Sequence, residues 1–180
     1  TFAGDVLTDA DDNTVYGNSA LSSDTLGSRS VAIGSLALQY QNFTTATNAY
    51  NVAIGYNTGN AVTTGMQNTL VGGLVGDNIT SGDLNVMFGY NLDTNSAAAD
   101  GNIVIGSNIA GAGGNTVRIG MSSGNATLNL DGSDTSWAAA SDSRLKKDVA
   151  DSTVGLEFIK DLRPVTFKWN AKNAIADSLP

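Results

Sequence analysis

Nucleophiles and bases are scarce in this sequence. It contains no Cys and no His, which removes thiol nucleophiles, histidine bases, disulfides and nearly every zinc or iron ligand set. Glycoside hydrolysis needs two carboxyl groups facing each other across a cleft. The chain has one Glu, Glu157, and its aspartates up to residue 140 fall mainly in turn-like segments. Asp9-Ala-Asp11-Asp12-Asn13 echoes the opening of a calcium loop, but Thr14 stands where the sharp-turn Gly belongs and Ala20 where the bidentate Glu belongs. A solvated acidic turn is the simpler reading, and no metal or other cofactor is expected. Gly72-Gly73-Leu-Val-Gly76 lacks the Gly-Lys-Ser/Thr of a phosphate loop. Serine and lysine are dense in one place, Ser141-Asp-Ser-Arg-Leu-Lys146-Lys147, which read alone makes a helix cap followed by a solvated turn. Tyr40, Phe43 and Tyr50 lie close together and could offer flat rings to a sugar. Packing between protomers is the weightier alternative for them.

Charge divides the chain. Residues 1–140 hold eleven acidic and two basic side chains, and residues 141–180 hold six acidic and seven basic, so a domain junction is placed near Ser141. The net charge of −8 repels phosphate backbones, and Arg29 and Arg118 are the sole basic residues before position 141. Nucleic-acid binding is therefore not expected. Membrane insertion is not expected either, since no apolar run approaches the roughly 20 residues of a span.

One short pattern organises the first 124 residues. An apolar-x-apolar-Gly core, usually preceded by Asn, reads Asn13-Thr-Val-Tyr-Gly17, Ser30-Val-Ala-Ile-Gly34, Asn51-Val-Ala-Ile-Gly55, Asn68-Thr-Leu-Val-Gly72, Asn85-Val-Met-Phe-Gly89, Asn102-Ile-Val-Ile-Gly106 and Thr116-Val-Arg-Ile-Gly120. The glycines are 17, 21, 17, 17, 17 and 14 residues apart. That period is too short for a helical hairpin, and the Gly, Asn and Thr content opposes helix. Each unit is therefore expected to be one coil of a parallel β-roll or β-solenoid of about seven coils. Alternation along a strand puts the residues one and three before each Gly on the same side. The expected inward pairs are Val31/Ile33, Val52/Ile54, Val86/Phe88, Ile103/Ile105 and Val117/Ile119, with a freer position between them that accepts Arg118. The Asn is expected to stack as a ladder along the rod and the Gly to serve a corner of positive φ. Burying two or three side chains is worth roughly 1.5–3 kcal/mol each, against about 1–2 kcal/mol for ordering every backbone residue. One coil alone cannot fold, and stacking must supply the rest.

These units, with Thr63-Thr-Gly65 and Thr80-Ser-Gly82 leading into the next coil, resemble the head repeats of trimeric autotransporter adhesins and the related repeats of phage fibres. The resemblance covers about residues 13–124. It implies three chains, each a β-roll, whose rod presents a surface to a host cell.

Downstream the pattern changes. Leu128-Asn-Leu130 and Asp131-Gly-Ser read as a short strand and a turn within a connecting segment, 125–140. Val154, Phe158 and Leu162 recur every four residues and predict a helix over about 152–162, capped by Asp151 or Ser152 and ended at Arg163-Pro164. Val165, Phe167 and Trp169 alternate as a strand. The fold class is thus mainly β, a trimeric roll followed by a small α+β segment with one helix and one or two strands. Ser141-Asp-Ser-Arg-Leu-Lys146, Phe158-Ile-Lys-Asp-Leu162 and Leu162-Arg-Pro-Val-Thr-Phe-Lys-Trp169 resemble the intramolecular chaperone of endosialidases and other phage tail proteins. In that family the domain runs on into long trimerising helices, so residues 141–180 would be its N-terminal part.

The second resemblance implies self-cleavage between Ala140 and Ser141 by a dyad of Ser141 and Lys146. A serine hydroxyl needs a base, and a lysine serves when its pKa is lowered; Arg144, Lys147 and burial would act in that direction. If residues 141–146 are helical they span about 7.5 Å and the lysine folds back; if extended, about 16 Å, another protomer must supply it. Three alanines before Ser141 leave the scissile carbonyl unobstructed, and Trp137 would anchor the approaching strand. The expected function is a structural and adhesive segment of a homotrimeric phage tail fibre, on the virion, that attaches to a host-surface glycan or protein receptor. Any enzyme activity would be one self-cleaving turnover with no external substrate. The alternatives are a bacterial trimeric surface adhesin at the cell surface and a glycan-degrading tailspike.

Overall fold

The structure, a computed structural model, describes residues 2–130, Gly132 and the backbone of Ala138–Ala139. The chain divides into two units, Thr1–Ala140 and Ser141–Pro180, and all the described residues belong to the first. The expected helix at about 152–162 and the strand at 165–169 lie outside the described residues.

Every copy of the repeat is a strand. β1 (Thr14–Tyr16), β3 (Val31–Ile33), β5 (Val52–Ile54), β6 (Thr69–Val75), β7 (Val86–Asp93), β8 (Ile103–Ala110) and β9 (Thr116–Met121) pair in that order, all parallel. The register follows the glycine spacing: Gly72 faces Gly89, Gly89 faces Gly106 and Gly106 faces Gly120. A parallel neighbour reached by only 14 to 21 residues of chain leaves room for one circuit of a coil. The described residues are therefore a β-solenoid, without a helix among them.

Two further features shape it. β2 (Gly27–Ser28) and β4 (Thr47–Asn48) form a small parallel sheet on another side of the coil. Thr25 meets Asn42 at the usual offset of 17, Gly27 meets Thr47 at 20 and Val31 meets Val52 at 21, so three of the four extra residues of the long coil enter between Asn42 and Thr47 and the fourth between Asn48 and Val52. At the other end the chain reverses: β10 (Gly124–Asn129) runs antiparallel to β9, and β11 (Ala138–Ala139) runs antiparallel to β10.

The glycine column has a steric cause. At Gly17, Gly34, Gly55, Gly72, Gly89 and Gly106 a Cβ would overlap the carbonyl oxygen of the corresponding glycine in the next rung. These glycines also hold φ between 129° and 146°, which L side chains avoid. Two residues later the chain turns left-handed at Ser19, Leu36, Asn57, Leu74, Asn91 and Asn108, with φ of 50° to 66°. Together these make the recurring corner.

The inward pairing expected at Val31/Ile33, Val52/Ile54, Val86/Phe88, Ile103/Ile105 and Val117/Ile119 is overturned. Alternation holds, but with the opposite parity: the middle residues Ala32, Ala53, Leu70, Met87 and Val104 are fully buried, and the flanking ones make the outer face of the sheet. A narrow coil explains this, because Ala32 and Ala53 fit an interior shared with Leu21, Leu38, Val62, Val75, Ile79 and Leu92 from the opposite walls. In the last rung the middle position is Arg118, half-buried. It covers the end of the core and satisfies its guanidinium on Ala110 O at 2.8 Å and Asn125 Oδ1 at 2.9 Å.

Candidate functional site

The Asn before each strand builds a buried polar spine. Asn51 Oδ1 accepts from the backbone N–H of Asn68, Asn68 Oδ1 from Asn85, and Asn85 Oδ1 from Asn102, at 2.9 to 3.0 Å. Their Nδ2 groups donate to Gly65 O, Gly82 O and Ala99 O. Each amide thus ties its own rung to the next, and among the described residues no buried side-chain polar atom lacks a partner. This is the stacked Asn ladder expected from the repeat.

Ser30 breaks the ladder, and the long coil repairs it. Gln41, fully buried, accepts from Asn51 Nδ2 at 2.8 Å and donates to Ser30 Oγ at 3.3 Å and to Asp24 Oδ2 at 2.6 Å. Asp24 is fully buried, and no cation pairs with it among the described residues. Its Oδ1 instead accepts the backbone N–H groups of Gly27 and Phe43. The sequence offered little sign of this cluster; the one available hint was Ser30 in place of Asn next to the one long interval.

The aromatic trio separates. Phe43 is buried at 6% exposure, whereas Tyr40 and Tyr50 are 52% and 47% exposed. Tyr50 lies beneath the Arg29 guanidinium, 5.8 Å from carbon to ring centroid, and its hydroxyl accepts from Arg29 Nη1 at 2.9 Å. Arg29 also pairs with Asp12 at 3.6 Å, so the acidic turn of the weak calcium-loop echo meets a cation there. No three His, Cys, Asp or Glu gather as a metal-holding group among the described residues.

Asp93 is the perturbed acid. Burial, followed by the neighbouring Asp77 carboxylate, pushes it up to about 6, against the opposing hydrogen bond from the Asn78 backbone N–H.

The broadest feature is the outer face of the main sheet. Its two columns carry Thr14, Val31, Val52, Thr69, Val86, Ile103 and Val117, and Tyr16, Ile33, Ile54, Val71, Phe88, Ile105 and Ile119. Tyr16 is 76% exposed, Phe88 42% and Ile119 41%, and the exposed side chains of Tyr90 and Met121 widen the face. No charged residue stands in either column.

Ser141, Lys146, Ala140 and Trp137 lie outside the described residues. The described backbone reaches Ala139, one residue short of the expected scissile bond, as β11 on the edge of β10.

Fold and surface together define a parallel β-solenoid with an apolar outer sheet face, continued by a second unit of different charge. Residues 141–178, about a fifth of the chain, match the family described as chaperone of endosialidase. The matched segment opens at Ser141. Searches of curated proteins and of solved structures return no match.

Proposed function

We propose that the chain is a structural, adhesive segment of a homotrimeric fibre of the phage tail type. Its residues from Ser141 direct assembly and then sever themselves from the rod. The observation that carries this reading is the uncharged outer sheet face, on a solenoid that leads directly into residues matching a chaperone family.

Seven rungs at about 4.8 Å, crossed by two to three outward columns, give an apolar patch on the order of 400–500 Å². A patch of that size matches the largest apolar patch of a typical monomer, and such patches are often binding surfaces. Covering it is worth about 10 kcal/mol per protomer before association entropy is charged against it. Copies of the same chain are the natural cover, because identical rungs match in spacing and the absence of charge removes any repulsion between them. Three copies follow the resemblance of both halves of the chain to trimeric fibres. Host attachment falls to the remaining surfaces, with the exposed rings of Tyr40 and Tyr50 as sugar-packing candidates and Phe43 buried.

In the cut, the Ser141 hydroxyl adds to the Ala140 carbonyl while its proton passes to a neutral Lys146 amine. The C–N bond breaks as the Ser141 amine takes that proton. Water then hydrolyses the ester, leaving a carboxylate at Ala140 and a free hydroxyl on Ser141. Intact-mass measurement of the full-length protein beside Ser141→Ala and Lys146→Ala tests this step, with sedimentation to count chains. Loss of cleavage in both variants, with three chains per particle throughout, is the expected result. Equal cleavage in all three proteins removes the dyad, and a monomer removes the fibre.

A further inference from the structure

The last strand of the described chain ends one residue before the bond expected to break. β11 pairs antiparallel with the middle of β10, Ala139 opposite Ala126 and Ala138 opposite Thr127. The other side of β10 is fully occupied by β9, from Gly124 opposite Met121 to Asn129 opposite Thr116. Without β11, β10 is a bare edge of six residues, and such an edge recruits other strands. At this end the interior is covered by Arg118, which reaches Asn125 of β10, so the hairpin that β11 guards also closes the core.

We propose that β11 is retained after processing: the new C-terminal tail, ending at Ala140, stays hydrogen-bonded to β10 as the terminal strand of the mature rod. The inference rests on the cleavage reading for its position and deepens it. The cut falls just beyond the strand, so the downstream domain can leave while the sheet keeps its edge partner. A cut before Ala138 would strip the edge, and that gives the position of the bond a structural reason.

The test does not depend on self-cleavage. In a full-length Ser141→Ala protein, a specific protease sequence is inserted after Ala140, so that the chain can be cut at will. Amide exchange of the 124–130 segment is followed before and after the cut, with sedimentation of the product. The expected outcome is exchange unchanged within about twofold and no association of the cut rods. A larger rise, or end-to-end association on cutting, overturns the proposal. Leu130 donates to Asn115 O on the β9 side, so by alternation Ala126 also faces β9 and Thr127 faces β11. A companion protein with Ala138→Pro and Ala139→Pro is expected to exchange about 10-fold faster at Thr127 even when uncut, with Ala126 little changed. If it exchanges like the parent, β11 gives no protection and the proposal is equally lost. Failure of the wild type to cut itself would instead count against the dyad and leave this result standing.

Discussion

Asn85→Ala is the sharpest probe of the spine. The Asn85 side chain makes four hydrogen bonds of 3.0 Å: Oδ1 accepts from Asn102 N and Asn102 Nδ2, and Nδ2 donates to Asn68 Oδ1 and Ala99 O. Truncation does not cost all four equally. Asn68 Oδ1 keeps the backbone N–H of residue 85 at 3.0 Å, and Asn102 Nδ2 keeps Asp100 O at 3.3 Å. Two groups lose their side-chain partner, the N–H of Asn102 and the carbonyl of Ala99. Leaving a buried polar group unsatisfied costs about 1–3 kcal/mol, so the variant should lose about 3 kcal/mol, with any water entering the small void lowering that figure. Urea unfolding at fixed chain concentration measures the loss, and native-state exchange of the Asn102 amide should quicken about 100-fold if the damage is local. The exposed Asn95, changed to Ala, should move stability by less than about 0.5 kcal/mol. If both variants fall within about 1 kcal/mol of the parent and the Asn102 amide is unaffected, the spine is not what holds the rungs together.

Other outcomes follow from the same geometry. Gly72→Ala must accept a φ of 129° and a Cβ driven into the Gly89 carbonyl; a loss of about 3 kcal/mol or more is expected by the same urea assay. Phe88→Asp with Ile105→Asp places charge on the outer sheet face, and sedimentation should show single chains whose circular dichroism still reports strands. Asp93, held up near 6, binds its proton more tightly folded than unfolded. It therefore adds stability below about pH 4 that disappears as pH rises through about 6. A shift of that size is worth about 3 kcal/mol for a fully buried carboxyl, reduced to about 1 kcal/mol because this one is partly exposed. Asp93→Asn should be more stable than the parent at pH 7 by that amount and equal to it at pH 4, as read from paired melting curves. Gln41→Ala should destabilise the protein by about 2–3 kcal/mol, because Asp24 Oδ2 loses its 2.6 Å donor and Asn51 Nδ2 loses its 2.8 Å acceptor.

The repeat spelled out most of the solenoid without coordinates. Seven glycines at near-fixed spacing announced seven rungs, and the register of β6 to β9 follows those glycines residue for residue, because a Cβ at that column would strike the next rung. Asn51, Asn68, Asn85 and Asn102 announced their ladder in the same way, since a side-chain amide can satisfy both its own rung and the next. The parity of the strands was not legible from spacing. Alternation says that Val52 and Ile54 share a side and Ala53 the other, but both sides are apolar. Which one is inside depends on the opposite walls, where Leu38, Val62 and Val75 leave room for an alanine. A compositional hint existed, since Thr14, Tyr16 and Thr69 stand in the outer columns while the middle column stays nonpolar until Arg118. The Asp24–Gln41 patch of the broken ladder, the Arg118 cover and the β10–β11 edge join residues from different coils or from opposite sides of a reversal in the chain. Local sequence carries no record of such meetings, because they come about when the coils stack.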